Sequence, residues 1–593
     1  MHTPDEAAVP AARSADVPGT DAAAPAGGRP SSGLLARAAL ITAALSVAGS
    51  VLGLVRDQAL ARLFGAGRET DAFLVAWTVP EFAATLLIED GLAFALVPMF
   101  SLALARRARG TAPGDPVRAL VASTLPRLSL AFAAAGTLAV VAAPVLVRAL
   151  APGLPDHALA VDCTRLTATC VVSFGLAGYC SAALRAHRRF LAPAAIYVAY
   201  NTGIITAMFV LGGRWGVRSA AVGVAVGGLL MVAAQLPSLL GRLRHRENGD
   251  GTARTTGTEN DDPARPLALA LFGTVLLFAL CRQSQVVIER FLASGLPSGA
   301  ISHLNYAQKV AQIPMTLSLM LCTVTFPVVA RAVADGDTER ARDRVERDVA
   351  LAAGLVLLGT AAVVACAPQT VQLLFQRGAF TAADTAATAG VMRVYALGLL
   401  GQTVVGALAR SYFSAGRASW YPLGAMAAGI AATAVIGALA VGPWGVAGIA
   451  AANAAGITVT AALLLAGMGP RSVPVRVPRV LGDLGRPVPA AVGATVAGAL
   501  VADRFTGPGG SPAVALAAGA AAVVGVFAVL GLALGVQGVA PALGSVRRFL
   551  RPVTRRLPHG RISIRLPLRP GFRPRPGSRP RPGSRLRRLR RSR

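Results

Sequence analysis

Residues 301–314 read ISHLNYAQKVAQIP, and they put a cation where the rest of the chain avoids one. Asn305, Gln308, Lys309 and Gln312 fall at i, i+3, i+4 and i+7, which is one face of a helix. The flanks are apolar: FALC (278–281) and QVVI (285–288) come before, and MTLSLMLCTVTFPVV (315–329) follows. Lys309 is the only lysine, and the other formal cations are all arginines. A polar stripe in so apolar a setting faces a cavity or a protein interior rather than lipid. Two readings follow: a helix-to-helix hydrogen-bonding seam, or a water-filled cationic pocket inside a membrane protein.

Composition supports the membrane setting. The 593 residues are 54% hydrophobic and 15% charged, with a mean hydropathy of +0.58. Soluble domains carry about 25% charged residues, and here apolar runs long enough to cross a bilayer recur along nearly the whole chain. The runs are continuous rather than alternating, which excludes a β-barrel. The formal charge of +30 sits mostly in short loops and one tail, so it argues against a nucleic-acid partner. Six cysteines lie inside apolar runs without a CxxC pair and read as small core residues. The sequence has no P-loop, no GxSxG and no histidine cluster, so it carries no sign of a hydrolytic or ATP-driven machine. No cofactor is expected, and energy would come from an ion gradient or the membrane potential.

We place fourteen spans, near 34–60, 71–104, 119–150, 158–185, 191–213, 217–241, 265–293, 301–332, 346–368, 384–413, 419–441, 443–468, 486–503 and 512–535. The first is too long for a signal-peptide core and reads as a retained helix. Arginines gather in alternate loops: Arg106, Arg107 and Arg109; Arg185, Arg188 and Arg189; Arg242, Arg244, Arg246 and Arg254; Arg340, Arg342, Arg344 and Arg347; Arg471, Arg476 and Arg479. Between them LAPGLPDH (150–157), GPW (442–444) and TGPGGSP (506–512) carry none. That alternation puts both termini in the cytoplasm with an even number of spans.

An internal repeat is visible at an offset of 229 residues. Val97-Pro98 returns as Phe326-Pro327; Ala186, Arg188 and Pro193 as Ala415, Arg417 and Pro422; Trp215-Gly216-Val217 as Trp444-Gly445-Val446; Gly227 as Gly456. With a one-residue slip, LARLFGAG (60–67) echoes IERFLASG (288–295). Six helices separate equivalent points, so the halves share one orientation and enclose a site, the plan of an alternating-access transporter. The expected fold is an all-α polytopic membrane protein of two six-helix lobes plus two extra C-terminal helices. Its parts are an N-terminal tail (1–32), an N-lobe (33–241), a cytoplasmic linker (242–264), a C-lobe (265–468), two final helices with their preceding loop (469–536) and a basic tail (537–593). From Arg547 onward that tail holds 18 arginines and no acid, including RPRPGSRPRPGS (573–584). It reads as a topogenic tail that also meets anionic lipid head groups, at up to about 1 kcal/mol per Arg.

Ionisable groups inside the spans cost about 2.5–3.5 kcal/mol each at mid-bilayer, so each needs a reason. Arg56 and Asp57 close the first helix and Asp71 opens the second. Glu81, Thr85 and Glu89 make an i, i+4, i+8 stripe with Asp90 alongside, and Arg282, Gln285 and Glu289 make another. Arg393 and Arg410 lie in the tenth span. Arg56, Asp57, Asp71, Glu289 and Arg290 also admit interfacial snorkelling or structural ion pairs. Arg282 and Lys309 are flanked by apolar runs on both sides and point to a cavity. Deep Arg and Lys with mixed charge suit an anionic head group, above all a phosphate or pyrophosphate.

Five stretches resemble one family: VLGLVRDQALARLFGAGRETDAFLVAWTVP (51–80), AVGVAVGGLLMVAAQLPSL (221–239), ERFLASGLPSGAISHLNYAQKVAQIP (289–314), LLFQRGAFTAADT (373–385) and YFSAGRASWYP (412–422). They are similar to MurJ, also called MviN, the lipid II flippases of the MOP exporter superfamily. The resemblance covers all fourteen spans and leaves out the two tails. It implies two lobes, two extra helices whose groove takes a polyprenyl tail, and a bacterial cytoplasmic-membrane location. It also implies transfer of lipid II, undecaprenyl-pyrophosphate carrying the cell-wall disaccharide-peptide, from the inner to the outer leaflet, with cell-wall synthesis proteins as further partners. Arg56, Asp57 and Asp71 match the family pattern, whereas Ser50, Ala84 and Thr85 stand where members usually carry Arg. Gln308-Lys309 replaces an Asp-Arg pair, and Gln312 replaces an acid.

The expected head-group and cavity residues are therefore Arg56, Asp57, Asp71, Arg282, Asn305, Gln308, Lys309, Gln312 and Arg410. Glu89, Asp90 and Glu289 are candidates for ion coupling. Two other classes stay open at this point: a drug or organic-cation antiporter on the same fold, which an acid-dominated cavity would favour, and a non-transporting cell-wall scaffold. The topology is directly testable. Reporter fusions after Arg246 and after Arg556 are expected to read cytoplasmic and one at Gly509 external; a cytoplasmic signal at Gly509 would break the fourteen-span plan.

Overall fold

The computed structural model describes residues 32–89, 91–109, 114–244, 264–414, 419–507 and 510–545. All regular structure among them is helical. In chain order the helices are α1 (Ser32–Phe64), α2 (Arg68–Ala76), α3 (Thr78–Ala84), a π turn (Thr85–Glu89), α4 (Gly91–Arg109), α5 (Pro116–Val141), α6 (Ala143–Leu150), α7 (His157–Ala168), α8 (Cys170–Ala186), α9 (Leu191–Trp215) and α10 (Arg218–Arg244). The second half follows with α11 (Ala264–Ala293), α12 (Ala300–Ala311), α13 (Ile313–Ala334), α14 (Thr338–Ala365), α15 (Ala367–Phe375), α16 (Ala382–Ala396), α17 (Leu399–Ser414), α18 (Tyr421–Arg471), α19 (Val477–Gly485), α20 (Pro487–Arg504) and α21 (Pro512–Ala533). Residues 540–545 are helical.

Ten helical segments among the described residues are long and apolar enough to cross a membrane, and eleven if the bent pair Ala382–Ala396 and Leu399–Phe413 is one span. Their outward faces are apolar as well. Val488, Val492, Val496 and Leu500 form an exposed i, i+4, i+8, i+12 stripe on α20, and Leu130, Leu138 and Val141 stand exposed on α5. Water would penalise such continuous stripes, and lipid does not. The chain is an all-α polytopic membrane protein.

Several expected single spans are broken helices. The 71–104 run bends at Trp77 and again at the π turn; 119–150 breaks at Ala142, 158–185 at Thr169, 301–332 at Gln312 and 384–413 near Leu397. Three new helices carry proline at their first turn, Pro144, Pro314 and Pro368. Proline has no N–H to give the carbonyl four residues back and its ring collides with that carbonyl, so the preceding helix stops there. Hydropathy is blind to such a break, because both sides remain apolar. The expected spans 419–441 and 443–468 run together in α18, divided by Gly445 at φ 54°, ψ −134°. Gly216, 229 residues earlier, ends α9 with φ 54° and ψ −142°. Both glycines follow an exposed tryptophan, and both hold a backbone that a side chain resists.

Four hydrophobic cores organise the packing. The largest joins the halves: Leu60, Phe73 and Leu159 pack with Ile301, Tyr306, Phe375 and Tyr395 in one cluster. A second, around Phe100 and Tyr179, belongs to residues before 245 alone, and a third, around Phe278, Tyr412 and Met468, to residues after 263 alone. The fourth binds α20 and α21 to α14. Helices touch across the halves through α1, α2, α3 and α6 on one side and α11, α12 and α15 on the other. The halves are thus fused at the end that holds loops 65–67, 151–156 and 294–299, and build separate cores elsewhere.

Close backbone approach sets the helix pairs within each half. A Cβ on Gly227 would lie 2.6 Å from the Tyr200 carbonyl oxygen, and one on Gly456 would lie 2.5 Å from that of Gly429 and 1.9 Å from Thr433 Oγ1. The two contacts are again 229 residues apart. Gly456→Ala is expected to destabilise detergent-purified protein by about 1–3 kcal/mol, the usual cost of overpacking. Gly424→Ala, where nothing lies within 4 Å of the added carbon, is the control and is expected to leave the thermal midpoint unchanged or raise it.

Candidate functional site

The junction between the halves is built first by one carboxylate. Asp71 on α2 is buried at 4% exposure. Its Oδ2 accepts the Gly299 N–H at 2.6 Å, and its Oδ1 accepts the Ser302 N–H at 2.8 Å and the Ser302 hydroxyl at 2.6 Å. Gly299 occupies the N-cap position of α12 with φ 98° and has no side chain to cap the helix. Asp71 from the first half performs that task, satisfying orphan N–H groups with a negative charge at the positive end of the helix. Around it Ala379 N–H donates to the Arg62 carbonyl at 2.9 Å, and Gly153 N–H to Ser294 Oγ at 3.3 Å. Within the second half, His303 Nε2 sits 3.2 Å from Asp384.

Deeper along the seam lies a charged cluster. Arg290 on α11, 5% exposed, donates from Nη2 to Glu81 Oε2 of α3 at 2.8 Å and from Nη1 to the Thr78 hydroxyl. Thr78 in turn donates to the Val75 carbonyl at 2.7 Å. Lys309 Nζ on α12 stands 3.8 Å from the other Glu81 oxygen. Arg56 on α1 pairs with Asp57 at 2.7 Å, donates to Asn201 Oδ1 at 3.3 Å, and stacks 4.4 Å above the Trp77 ring at the α2–α3 break. Three cations thus contact two carboxylates, and a third carboxylate, Glu289, acts electrostatically on both Arg290 and Glu81. Lys309 retains 37% side-chain exposure, so part of its ammonium surface is still open.

The polar face of α12 is split between two tasks. Gln308 and Gln312 reach the Tyr395 hydroxyl at 2.9 and 3.1 Å, and Gln402 reaches it at 3.0 Å. One phenolic oxygen has two lone pairs and one proton, so at least one of these amides offers its carbonyl to that proton. Those two glutamines form a hydrogen-bonded seam, while Lys309 beside them turns to Glu81. Asn305 is half-buried on the same helix. Arg282 is exposed. Arg410 is half-buried and donates to the Leu319 carbonyl at 3.1 Å, away from the cluster. Glu89 is exposed and accepts the Tyr197 hydroxyl at 2.9 Å; Glu289 is buried at 2% and accepts from Asn453. Asp90 lies outside the described residues. No group of three His, Cys, Asp or Glu among the described residues is placed to hold a metal ion.

Sequence reasoning named Glu81 and Arg290 without assigning them to the site, and it left Thr78, Trp77, Asn201 and Tyr395 unnoticed. The expected Glu81, Thr85, Glu89 stripe gave a signal for Glu81 but a false register. The π turn over Thr85–Glu89 inserts an extra residue per turn, so Glu81 meets Arg290 and Glu89 meets Tyr197.

Residues 60–511 match the family model described as lipid II flippase MurJ. The chain belongs to the MurJ family. Curated MurJ relatives agree: the lipid II flippase MurJ of Burkholderia cenocepacia is 27% identical over 400 residues, covering 64% of this chain and 73% of that protein. The probable lipid II flippase MurJ of Thermotoga maritima is 26% identical over 366 residues, covering 61% and 70%. In fold the chain is similar to a solved MurJ in an inward closed conformation, with a TM-score of 0.65 at 18% identity over 84% of this chain and 99% of that one. An inward-facing MATE transporter of the MOP superfamily follows, with a TM-score of 0.55 at 14% identity over 72% and 96%. MurJ membership makes this chain a multi-pass bacterial inner-membrane transporter and not an enzyme.

Asp71 is the part of this junction most open to test. Asp71→Asn removes the charge and keeps one carbonyl acceptor, so its NH2 must face either Gly299 or Ser302, and it is expected to cost about 1.5–3 kcal/mol, the worth of hydrogen bonds to a charged group. Ser302→Ala removes one neutral donor and is expected to cost about 1 kcal/mol. Thermal unfolding of both variants in detergent checks the ranking; equal midpoints would mean that Asp71 does not hold the junction.

Proposed function

We propose that this protein turns lipid II from the inner to the outer leaflet for peptidoglycan synthesis, with its pyrophosphate held at the Arg56–Asp57–Glu81–Arg290–Lys309 cluster. The observation that carries this reading is the gathering of three cations at the seam between the halves, Lys309 among them still partly open, in a chain of the MurJ family. An anionic head group complements those cations, and a buried cation without a partner is costly. An organic cation would meet the Lys309 ammonium as the open group there, which disfavours the antiporter reading. Glu289, buried against Asn453, is the carboxylate we assign to ion coupling.

The finer architecture belongs to the same proposal. Fourteen spans in two six-helix lobes are supported by the matched glycine geometry at 216 and 445, by the matched contacts at 227 and 456, and by the order of broken helices in each half. Dividing α18 at Gly445 gives two spans of ordinary length. With the arginine-rich loops in the cytoplasm, the fused end faces outward and the separate cores face inward, so the cavity opens to the inner leaflet where lipid II is made. Arg282 and Arg410 fall outside the cluster and are assigned to later points of the transport path. The arginine-rich tail is assigned to anionic head groups.

Lys309 is the residue to test. A charge-assisted hydrogen bond is worth roughly 1.5–3 kcal/mol, so Lys309→Gln is expected to weaken substrate binding about 10- to 100-fold. Lys309→Arg keeps the charge on a wider donor fork and is expected to retain transport. Complementation and lipid translocation at matched expression provide the measurement. Full activity of Lys309→Gln would reduce the α12 stripe to packing.

A further inference from the structure

A second chamber, of about 550 Å³, opens in the first half between α1, the π turn, the end of α8 and α9. Its polar lining is Thr42, Ser46, Ser50, Glu89, Arg185 and Tyr197. Thr42, Ser46 and Ser50 follow one another at i, i+4 and i+8, a single face of α1, and carry hydroxyls where a membrane helix would ordinarily carry aliphatic side chains. Ser46 donates to the Thr42 carbonyl at 3.1 Å and Ser50 to the Ser46 carbonyl at 3.2 Å, which leaves their oxygen lone pairs to accept. Glu89 takes one bond, from the Tyr197 hydroxyl. Arg185 is half-buried and has no ion-pair partner among the described residues.

The chamber differs in kind from the charged cluster. It offers one guanidinium, one carboxylate and a row of hydroxyls. A pyrophosphate has no donor for Glu89 and would be repelled by it. An uncharged sugar can hydrogen-bond to Arg185 and Glu89 but neutralises neither. A ligand with both a carboxylate and N–H donors satisfies all of it, and a peptide has both. The spacing also fits one elongated substrate. Ser50 and Arg56 are six residues apart on α1, about 9 Å along the axis, a distance that a sugar bridges between a pyrophosphate at Arg56 and a peptide in the chamber.

We propose that this chamber is the subsite for the peptide of lipid II, with Arg185 binding a peptide carboxylate and Glu89, steadied by Tyr197, accepting peptide N–H groups. The assignment rests on the lipid II reading.

The test is equilibrium binding to the purified full-length chain of two labelled probes, lipid II and undecaprenyl-pyrophosphate disaccharide without the peptide. Arg185→Gln and Glu89→Gln are each expected to weaken lipid II binding about 10- to 100-fold, as the loss of a charge-assisted bond does, and to leave the peptide-free lipid unchanged. Arg189→Gln, just past the end of α8 and lining a different cleft, is expected to change neither. Unchanged lipid II binding in both variants, or equal losses for both lipids, would overturn the peptide subsite while the lipid II reading stands. Failure of the wild-type chain to bind either lipid would overturn the lipid II reading and the subsite with it.

Discussion

A charge inside an apolar protein must be met by an opposite charge or by water, and here the partners come from opposite halves of the chain. Arg290 on α11 is nearly buried, and its carboxylate, Glu81, lies on α3, more than two hundred residues earlier. Asp71 repeats the pattern with a helix end as its cation-like partner, capping α12 from α2. Removing either member of such a pair leaves a desolvated group, which costs several kcal/mol, so the two halves are held together by the penalty of separating them. The aromatic and aliphatic cluster of Phe73, Tyr306, Phe375 and Tyr395 closes the same end with area-dependent, undirected attraction.

This arrangement also suits a transporter. Directional bonds across the seam are few and sit at one end, whereas each half away from that end has a core of its own. Rocking the halves would exchange a small number of bonds and leave both cores intact. Lys309 is the open member of the seam. Its ammonium is near Glu81 at 3.8 Å, a distance longer than a normal hydrogen bond, and over a third of the side chain is exposed. A loosely held cation beside a tightly held ion pair can engage a ligand without dismantling the junction.

Small residues let the helices carry this load. Glycines on α10 and α18 bring backbone to within a carbon atom's reach of the neighbouring helix, and the carbonyls they approach belong to α9 and to the earlier part of α18. In an apolar solvent there is little hydrophobic gain in pairing helices, so close van der Waals contact has to supply it.

Apolar run length and charge content are linear properties, so a helical chain that spans a membrane is legible in the residues alone. The residues also carry the family, through stretches such as 51–80 and 289–314, and they single out Asp71, Arg56, Asp57 and Lys309 as charges in need of partners. Which partner each one has was decided only by the tertiary structure. Glu81 and Arg290 are distant in sequence, and the register that joins them depends on a break at Trp77 and a π turn that hydropathy does not record. The glutamines of α12 looked like part of a cavity wall, yet Tyr395, from a helix eighty residues on, gathers two of them into a seam. A helical period tells which residues share a face, and the fold alone decides what that face meets.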